Sequence, residues 1–158
     1  MAKSREAPAD LRRFRNRALY RSVARMLRAY NRRLTDALHA RGFTDFTPAF
    51  PQIMSNLDTE GSRIGAIALR AGITRQAAGQ LVAEIERCGY VERRPEPSDA
   101  RATLVVFTPR GRKMLANVFE ILSVLDAEFA EHLGARAYDK LRDDLYAVAE
   151  RFDPGGAL

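Results

Sequence analysis

Only one cysteine and two histidines occur among the 158 residues, and tryptophan is absent. A lone Cys88 excludes an internal disulfide, and His39 and His132 stand too far apart in the chain to form a ligand cluster, so no metal or other cofactor is expected. At the end of a helical pattern beside Gly89, Cys88 reads as a small packing residue. No stretch approaches the ~18 uninterrupted apolar residues of a membrane span, and the N-terminus is charged rather than apolar. We therefore expect a cytoplasmic protein with no membrane partner. There is no Gly-rich phosphate loop, no Ser/His/Asp or Cys/His arrangement, and no paired carboxylates beyond solvated helix faces, so an enzyme is not expected.

What is present is a core-forming, basic chain. A hydrophobic content of 46% argues against disorder, and the length suits one domain or two closely packed lobes. The net charge of +6 is compatible with a polyanion partner. Its distribution says more. Residues 1–46 carry +8, residues 47–113 carry +3 and residues 114–158 carry −5. The two ends are electrically complementary.

Residues 63–113 are the most informative stretch. Ile64, Ile67, Ala68 and Ala71 recur at helical spacing, and Gly72 stands where a left-handed residue would end that helix. Thr74 is a good N-cap for a second helix whose inward residues are Ala77, Ala78, Leu81, Val82 and Ile85, and Gly89 closes it in the same way. The run Tyr90 to Arg94 ends at Pro95, while Thr103 to Phe107 is β-branched and aromatic, so the two read as a hairpin around residues 95–100. Two helices joined through a glycine, followed by a basic hairpin, make a winged helix-turn-helix, whose usual partner is duplex DNA.

The second helix would expose Arg75, Gln76 and Gln80 beside Thr74. Arg can donate two bonds to guanine and Gln can pair with adenine, although such residues on a helix are also ordinary solvated surface. Gly79 in mid-helix costs about 1 kcal/mol relative to Ala, which suggests either close approach of a backbone or phosphate, or tolerated drift. Arg93 and Arg94 alternate across a strand, so one of the two faces the duplex. Ser62 and Arg63, read as the start of the first helix of the motif, are candidates for phosphate contact.

The order Gly89-Tyr90-Val91-Glu92-Arg93, Pro95, Asp99-Ala100-Arg101 and Thr108-Pro109-Arg110-Gly111 resembles the core of the MarR family of transcriptional regulators. With a long first helix, a Thr47-Pro48 helix start and two C-terminal helices, the resemblance spans nearly the whole chain. It implies a mainly α fold with a small β wing, and a homodimeric, ligand-responsive regulator of double-stranded DNA. It also implies that Arg101 is the wing-tip arginine at the minor groove and that Asp99 orients it. Chemistry agrees for Arg101, since a narrow minor groove favours an inserted guanidinium. For Asp99 the alternative is a local turn in which it satisfies backbone amides. We expect a single domain, with a winged helix-turn-helix lobe at 47–113 and a helical dimerisation lobe from 11–46 and 114–152.

The terminal helices carry long apolar seams. Leu19, Val23, Met26, Leu27, Tyr30, Leu34 and Leu38 form one stripe, with Arg17, Arg21, Arg25, Arg28 and Arg32 opposite. Leu115, Val118, Leu122, Leu125 and Phe129 form a second, and Tyr138, Leu141, Leu145, Val148 and Phe152 a third. The interface residues expected from these helices are Leu11, Phe14, Leu19, Leu125, Phe129, Leu141, Leu145, Val148 and Phe152; an intramolecular bundle would satisfy the same seams. The Arg stripe reads as a solvated face, as a partner for the acidic last helix across a dimer, or as an attractor for an anionic effector or further DNA.

In the family, small aromatic and anionic effectors lodge where the dimer helices meet the DNA-binding lobe. By that implication Tyr30, Arg33, Phe43, Phe46, Phe50 and Met54 are candidates to line such a site, against ordinary hinge packing. Pro51 departs from the pattern, so the helix opened by Thr47-Pro48 either begins later or starts irregularly. A different class of function is a winged-helix module that binds nucleic acid architecturally or serves protein assembly, without operator specificity. Salt dependence and sequence preference separate the two.

Overall fold

The computed structural model describes residues 18–152. A first helix, α1 (Leu19–Ala40), is followed by a short α2 (Pro51–Met54), a strand β1 (Ser62–Arg63), and helices α3 (Ile64–Arg70) and α4 (Arg75–Arg87). Strands β2 (Val91–Glu96) and β3 (Asp99–Phe107) form the wing, and two long helices, α5 (Pro109–Leu133) and α6 (Ala135–Phe152), complete the order. The sheet is antiparallel with strand order β1-β3-β2. This is a mainly helical fold with a small β wing.

Local chemistry sets most of the boundaries. Gly72 and Gly89 take φ values of 64° and 74°, the left-handed region that ends a helix without a Cβ penalty. The Thr74 hydroxyl accepts from the Ala77 amide at 3.1 Å, capping α4. Thr108 does the same for α5, accepting from the Gly111 amide at 3.0 Å, with Pro109 in the first turn where no N–H is needed. Pro51 explains the delayed start of α2: it occupies the first turn of that helix, and residues 48–50 form a turn before it.

Two expectations need refinement. Ser62 and Arg63 form a two-residue strand, pairing with Val105 and Leu104, and Arg63 is at the same time the N-cap of α3, so the helix start expected there holds at Arg63. Two residues carry no periodicity, so nothing in the local sequence distinguishes them. The hairpin is also tighter than residues 95–100 imply. β2 runs through Pro95 to Glu96, and β3 begins at Asp99. Pro95 is tolerated because β2 is an edge strand.

One core cluster runs through the described residues. Leu34 and Leu38 of α1, Phe43, Phe46, Phe50, Ile53 and Met54 of the following segment, Ile67, Ala78, Val82 and Ile85 of the helix-turn-helix, Tyr90, Val91, Val105 and Phe107 of the wing base, and Met114, Ile121 and Leu125 of α5 all belong to it. The seam on α1 thus divides. Leu34 and Leu38 are core, whereas Leu19, Tyr20, Val23, Met26 and Leu27 are exposed. Leu125, expected at a dimer interface, is buried in the chain's own core, because α5 packs its middle against α1. α6 has no buried residue at all.

Candidate nucleic-acid interface

The outward face of α4 carries Thr74, Arg75, Gln76 and Gln80, all exposed, with Gly79 half-buried between them. Positions 75, 76, 79 and 80 share one face of a helix. The opposite face is anchored by Ala78, Val82 and Ile85. A side chain added at Gly79 would meet nothing within 4 Å, so no neighbouring backbone of this chain accounts for the glycine. The first turn of α4 contains no acidic residue, which leaves its positive dipole end available to an anion.

The wing stands beside this helix and is tied to it. The Arg93 amide donates to Glu86 Oε1 at 3.2 Å, and its guanidinium donates to Glu86 Oε2 at 2.5 Å. Arg93 therefore leans on α4, while Arg94, on the other face of the strand, pairs with its neighbour Glu92 and is more exposed. At the tip, Asp99 Oδ1 accepts the backbone amide of Arg101 at 3.1 Å. Asp99 thus acts as a turn former for the Arg101 backbone. Its other oxygen lies 3.6 Å from Arg63 Nη2. Among the described residues no carboxylate forms an ion pair with Arg75 or Arg101, and both are exposed.

Ser62 and Arg63 separate in role. Ser62 is buried, and its hydroxyl donates to Asp58 Oδ2 at 2.6 Å while accepting from the Asp58 amide and from Arg70 Nη2. That hydroxyl is fully engaged, so Ser62 offers no side-chain contact to phosphate. The Asp58 carboxyl is held below the usual carboxylate range, first by the Arg70 guanidinium and then by the Ser62 hydroxyl. Arg63 remains exposed on the same side as the wing.

Tyr90 secures the base of the wing. Its ring is fully buried, its hydroxyl donates to Asp45, the Arg110 guanidinium carbon lies 4.8 Å from the ring centroid, and Arg110 Nη2 donates to both Asp45 carboxylate oxygens at 2.8 Å. Burial and then the Asp45 hydrogen bond push the Tyr90 hydroxyl up to about 12. Asp45, Asp58, Glu86, Arg70 and Glu96 carry no motif of their own. Asp45 and Glu96 meet partners far along the chain, Tyr90 and Arg110 for the one and Arg63 for the other, and the nearer pairs Asp58–Ser62 and Glu86–Arg93 cross from one element to the next, where helical or strand spacing gives no sign of them.

The candidate effector residues do not come together as a lining. Phe43, Phe46, Phe50 and Met54 are buried, and Phe46 packs edge-on against Phe50 at 5.5 Å and against Tyr90 at 6.3 Å. They form the hinge packing, since these rings fill the space where α1, α2 and the wing base meet. Tyr30 and Arg33 lie elsewhere, at the junction of α1 and α5. Tyr30 donates to Asp126 at 2.9 Å and stacks on Phe129, and Arg33 pairs with Glu128 at 2.5 Å. Of the expected interface residues, Leu11 and Phe14 lie outside the described residues. Leu19, Leu141, Leu145, Val148 and Phe152 are exposed, while Phe129 is half-buried against Tyr30.

Comparison with known proteins identifies this arrangement. The family profile described as the MarR family matches residues 44–102, which hold α2, the helix-turn-helix and the wing tip. Over that stretch the chain is similar to the MarR family. That stretch is the winged helix of the fold, and solved structures that share it include transcriptional regulators. The transcriptional regulator Tm0710 from Thermotoga maritima is 26% identical, with 84% of this chain and 92% of that one covered and a TM-score of 0.55. BldR from Sulfolobus solfataricus shares the fold at 22% identity, covering 84% and 93% of the two chains with a TM-score of 0.65. CouR from Rhodococcus jostii, solved with p-coumaroyl-CoA bound, does so at 20% identity, covering 85% and 93% with a TM-score of 0.66. An uncharacterized protein of Mycobacterium tuberculosis is 28% identical over 99 residues, 63% of this chain and 69% of its own length. Among the described residues no helix is long and apolar enough to cross a membrane.

Proposed function

We propose that this chain acts as a homodimeric, operator-specific and ligand-responsive repressor. The observation that carries the reading is the pairing of an α4 face that exposes Arg75, Gln76 and Gln80 with a wing fixed beside it whose tip exposes Arg101. In this reading the two α4 helices of a dimer enter successive major grooves about one helical turn apart, and the wings reach the flanking minor grooves. Arg75, Gln76 and Gln80 read base edges, Thr74 and Gly79 admit the phosphate backbone, and Arg101 enters the minor groove. Arg93 and Arg94 supply the positive field of the wing, with Arg93 also holding it to α4.

The exposed apolar residues of α1 and α6 support dimerisation, because a face of this kind on terminal helices is costly to leave in water. The lobes then divide the work, residues 47–113 on DNA and the terminal helices on the partner subunit. For the effector we favour an aromatic, anionic molecule, the class to which the p-coumaroyl-CoA found in CouR belongs. Tyr30 and Arg33, at the junction of α1 and α5, are its nearest candidates for contact. Such a ligand would act by binding the DNA-competent and incompetent spacings unequally.

Fluorescence anisotropy on duplexes tiling the upstream region of the protein's own gene tests this reading, at about 150 mM salt with nonspecific competitor to suppress phosphate-only binding. One saturable, competitor-resistant tile binding two subunits is the expected result. Uniform, salt-sensitive binding to every tile would mean an architectural module instead.

A further inference from the structure

The wing tip lacks the backbone ladder that fixes the rest of the hairpin. Pairing is regular from Val91↔Phe107 to Pro95↔Thr103 and then jumps to Glu96↔Asp99, a register shift that sets Arg101 and Ala102 outside the regular pairs. Arg101 lies in that gap. Its backbone amide is held by Asp99 of the tip, and Asp99 and Glu96 are met in turn by one side chain from outside it.

Arg63 reaches the tip from the helix-turn-helix. Its backbone leaves β1 and forms the N-cap of α3, so its Cα belongs to the scaffold that carries α4. Its Nε donates to Glu96 Oε2 at 2.7 Å, its Nη2 reaches the same oxygen at 2.6 Å, and Nη2 lies 3.6 Å from Asp99 Oδ2. The remaining oxygens turn inward to the tip. Glu96 Oε1 accepts from the Ser98 hydroxyl at 3.2 Å, and Asp99 Oδ1 accepts from the Arg101 amide at 3.1 Å. β1 and β2 are separated by β3, so the Arg63 side chain spans the middle strand to join two edges.

We propose that Arg63 is a positioning residue that ties the wing tip to the helix-turn-helix, setting the place of Arg101 through Glu96 and Asp99. The inference depends on the DNA-binding reading above only for its consequence, not for the tether itself. The arrangement also neutralises part of the negative charge that two carboxylates would otherwise present to phosphate. A single exposed ion pair is worth little, but here one guanidinium serves two acids whose other oxygens hold the tip, as in a network.

The sign of one substitution separates a tether from a plain phosphate contact. Glu96→Gln removes a negative charge near DNA. Were Arg63 a phosphate ligand masked by Glu96, that change would free it and tighten binding. A tether predicts the reverse: binding to a preferred duplex weakens by about two- to fivefold, the upper range for one exposed charged contact. Amide exchange at residues 98–102 would speed up at the same time, with an unchanged melting temperature. Arg63→Gln should reproduce the faster exchange. Tighter DNA binding by Glu96→Gln, or unchanged exchange at the tip in both variants, overturns the proposal. Faster exchange in a protein that prefers no duplex would sink the operator reading and leave the tether standing.

Discussion

A Cβ placed on Gly111 would stand 1.9 Å from the carbonyl oxygen of Tyr90 and 2.9 Å from its carbonyl carbon. The first turn of α5 is therefore pressed directly onto the backbone at the start of the wing. The Thr108 hydroxyl completes the joint, donating to the Gly89 carbonyl at 2.6 Å while accepting from the Gly111 amide. This is the physical content of Thr108-Pro109-Arg110-Gly111 following Gly89-Tyr90. Cap, helix start and wing base are one contact.

Gly111→Ala should accordingly destabilise the fold by about 3 kcal/mol or more, since no flexible side chain can yield to the added methyl. Chemical denaturation monitored by circular dichroism measures it. A loss below about 0.5 kcal/mol, the range of ordinary surface changes, would show that the helix start can slide away.

Gly79 predicts the opposite sign. Nothing lies within 4 Å of its missing Cβ, so Gly79→Ala should stabilise α4 by about 0.5–1 kcal/mol. The methyl would project among Arg75, Gln76 and Gln80, and operator binding should weaken in the same variant. A more stable protein with undiminished DNA affinity would remove Gly79 from the DNA-facing surface.

Tyr90 gives a pH dependence. Its hydroxyl is pushed up to about 12 from an ordinary value of 10.0, by burial and then by the hydrogen bond to Asp45. The folded state thus holds this proton more tightly than the unfolded chain. The stability it contributes is complete below about pH 10 and is lost as pH rises through about 12. At pH 8 Tyr90→Phe should be less stable by about 1–3 kcal/mol, the cost of leaving part of a buried hydrogen-bond pair unmade. That deficit should shrink between pH 10 and 12; a constant gap would place the Tyr90 proton outside the linkage.

The exposed seam of α6 is tested by mass. The wild-type chain should sediment at twice its 17.7 kDa, and Leu141→Asp combined with Leu145→Asp should return it to the monomer with helix content retained. Among the described residues neither Leu141 nor Leu145 belongs to the buried core, so the variant should keep that packing. A wild-type monomer at micromolar concentration would contradict the dimeric reading.

Features written in consecutive residues were legible in the chain itself. Thr74, Thr108, Gly72 and Gly89 state their roles locally, because a cap or a left-handed turn needs only its own neighbours. The apolar spacing of Ala78, Val82 and Ile85 likewise places the outward face of α4 by elimination. Ser62 and Arg63 were not legible as a strand, since their pairing is decided by Val105 and Leu104 some forty residues away. Phe43, Phe46, Phe50 and Met54 look the same in sequence whether they line a pocket or fill a core, and only their mutual packing decides it. Leu125 and Leu141 occupy similar seams, yet one meets the chain's own core and the other solvent. Periodicity reports that a face is apolar and leaves open what covers it.

The central claim is that the α4 face reads base sequence. Selection of bound duplexes from a randomised pool, run in parallel with wild-type protein and Gln76→Ala, tests it most directly. The account predicts that the wild type enriches one pseudo-palindrome with half-site centres about 10 base pairs apart, and that Gln76→Ala relaxes one position per half-site by about 1–3 kcal/mol. A wild-type pool that binds without enriching any sequence would contradict it.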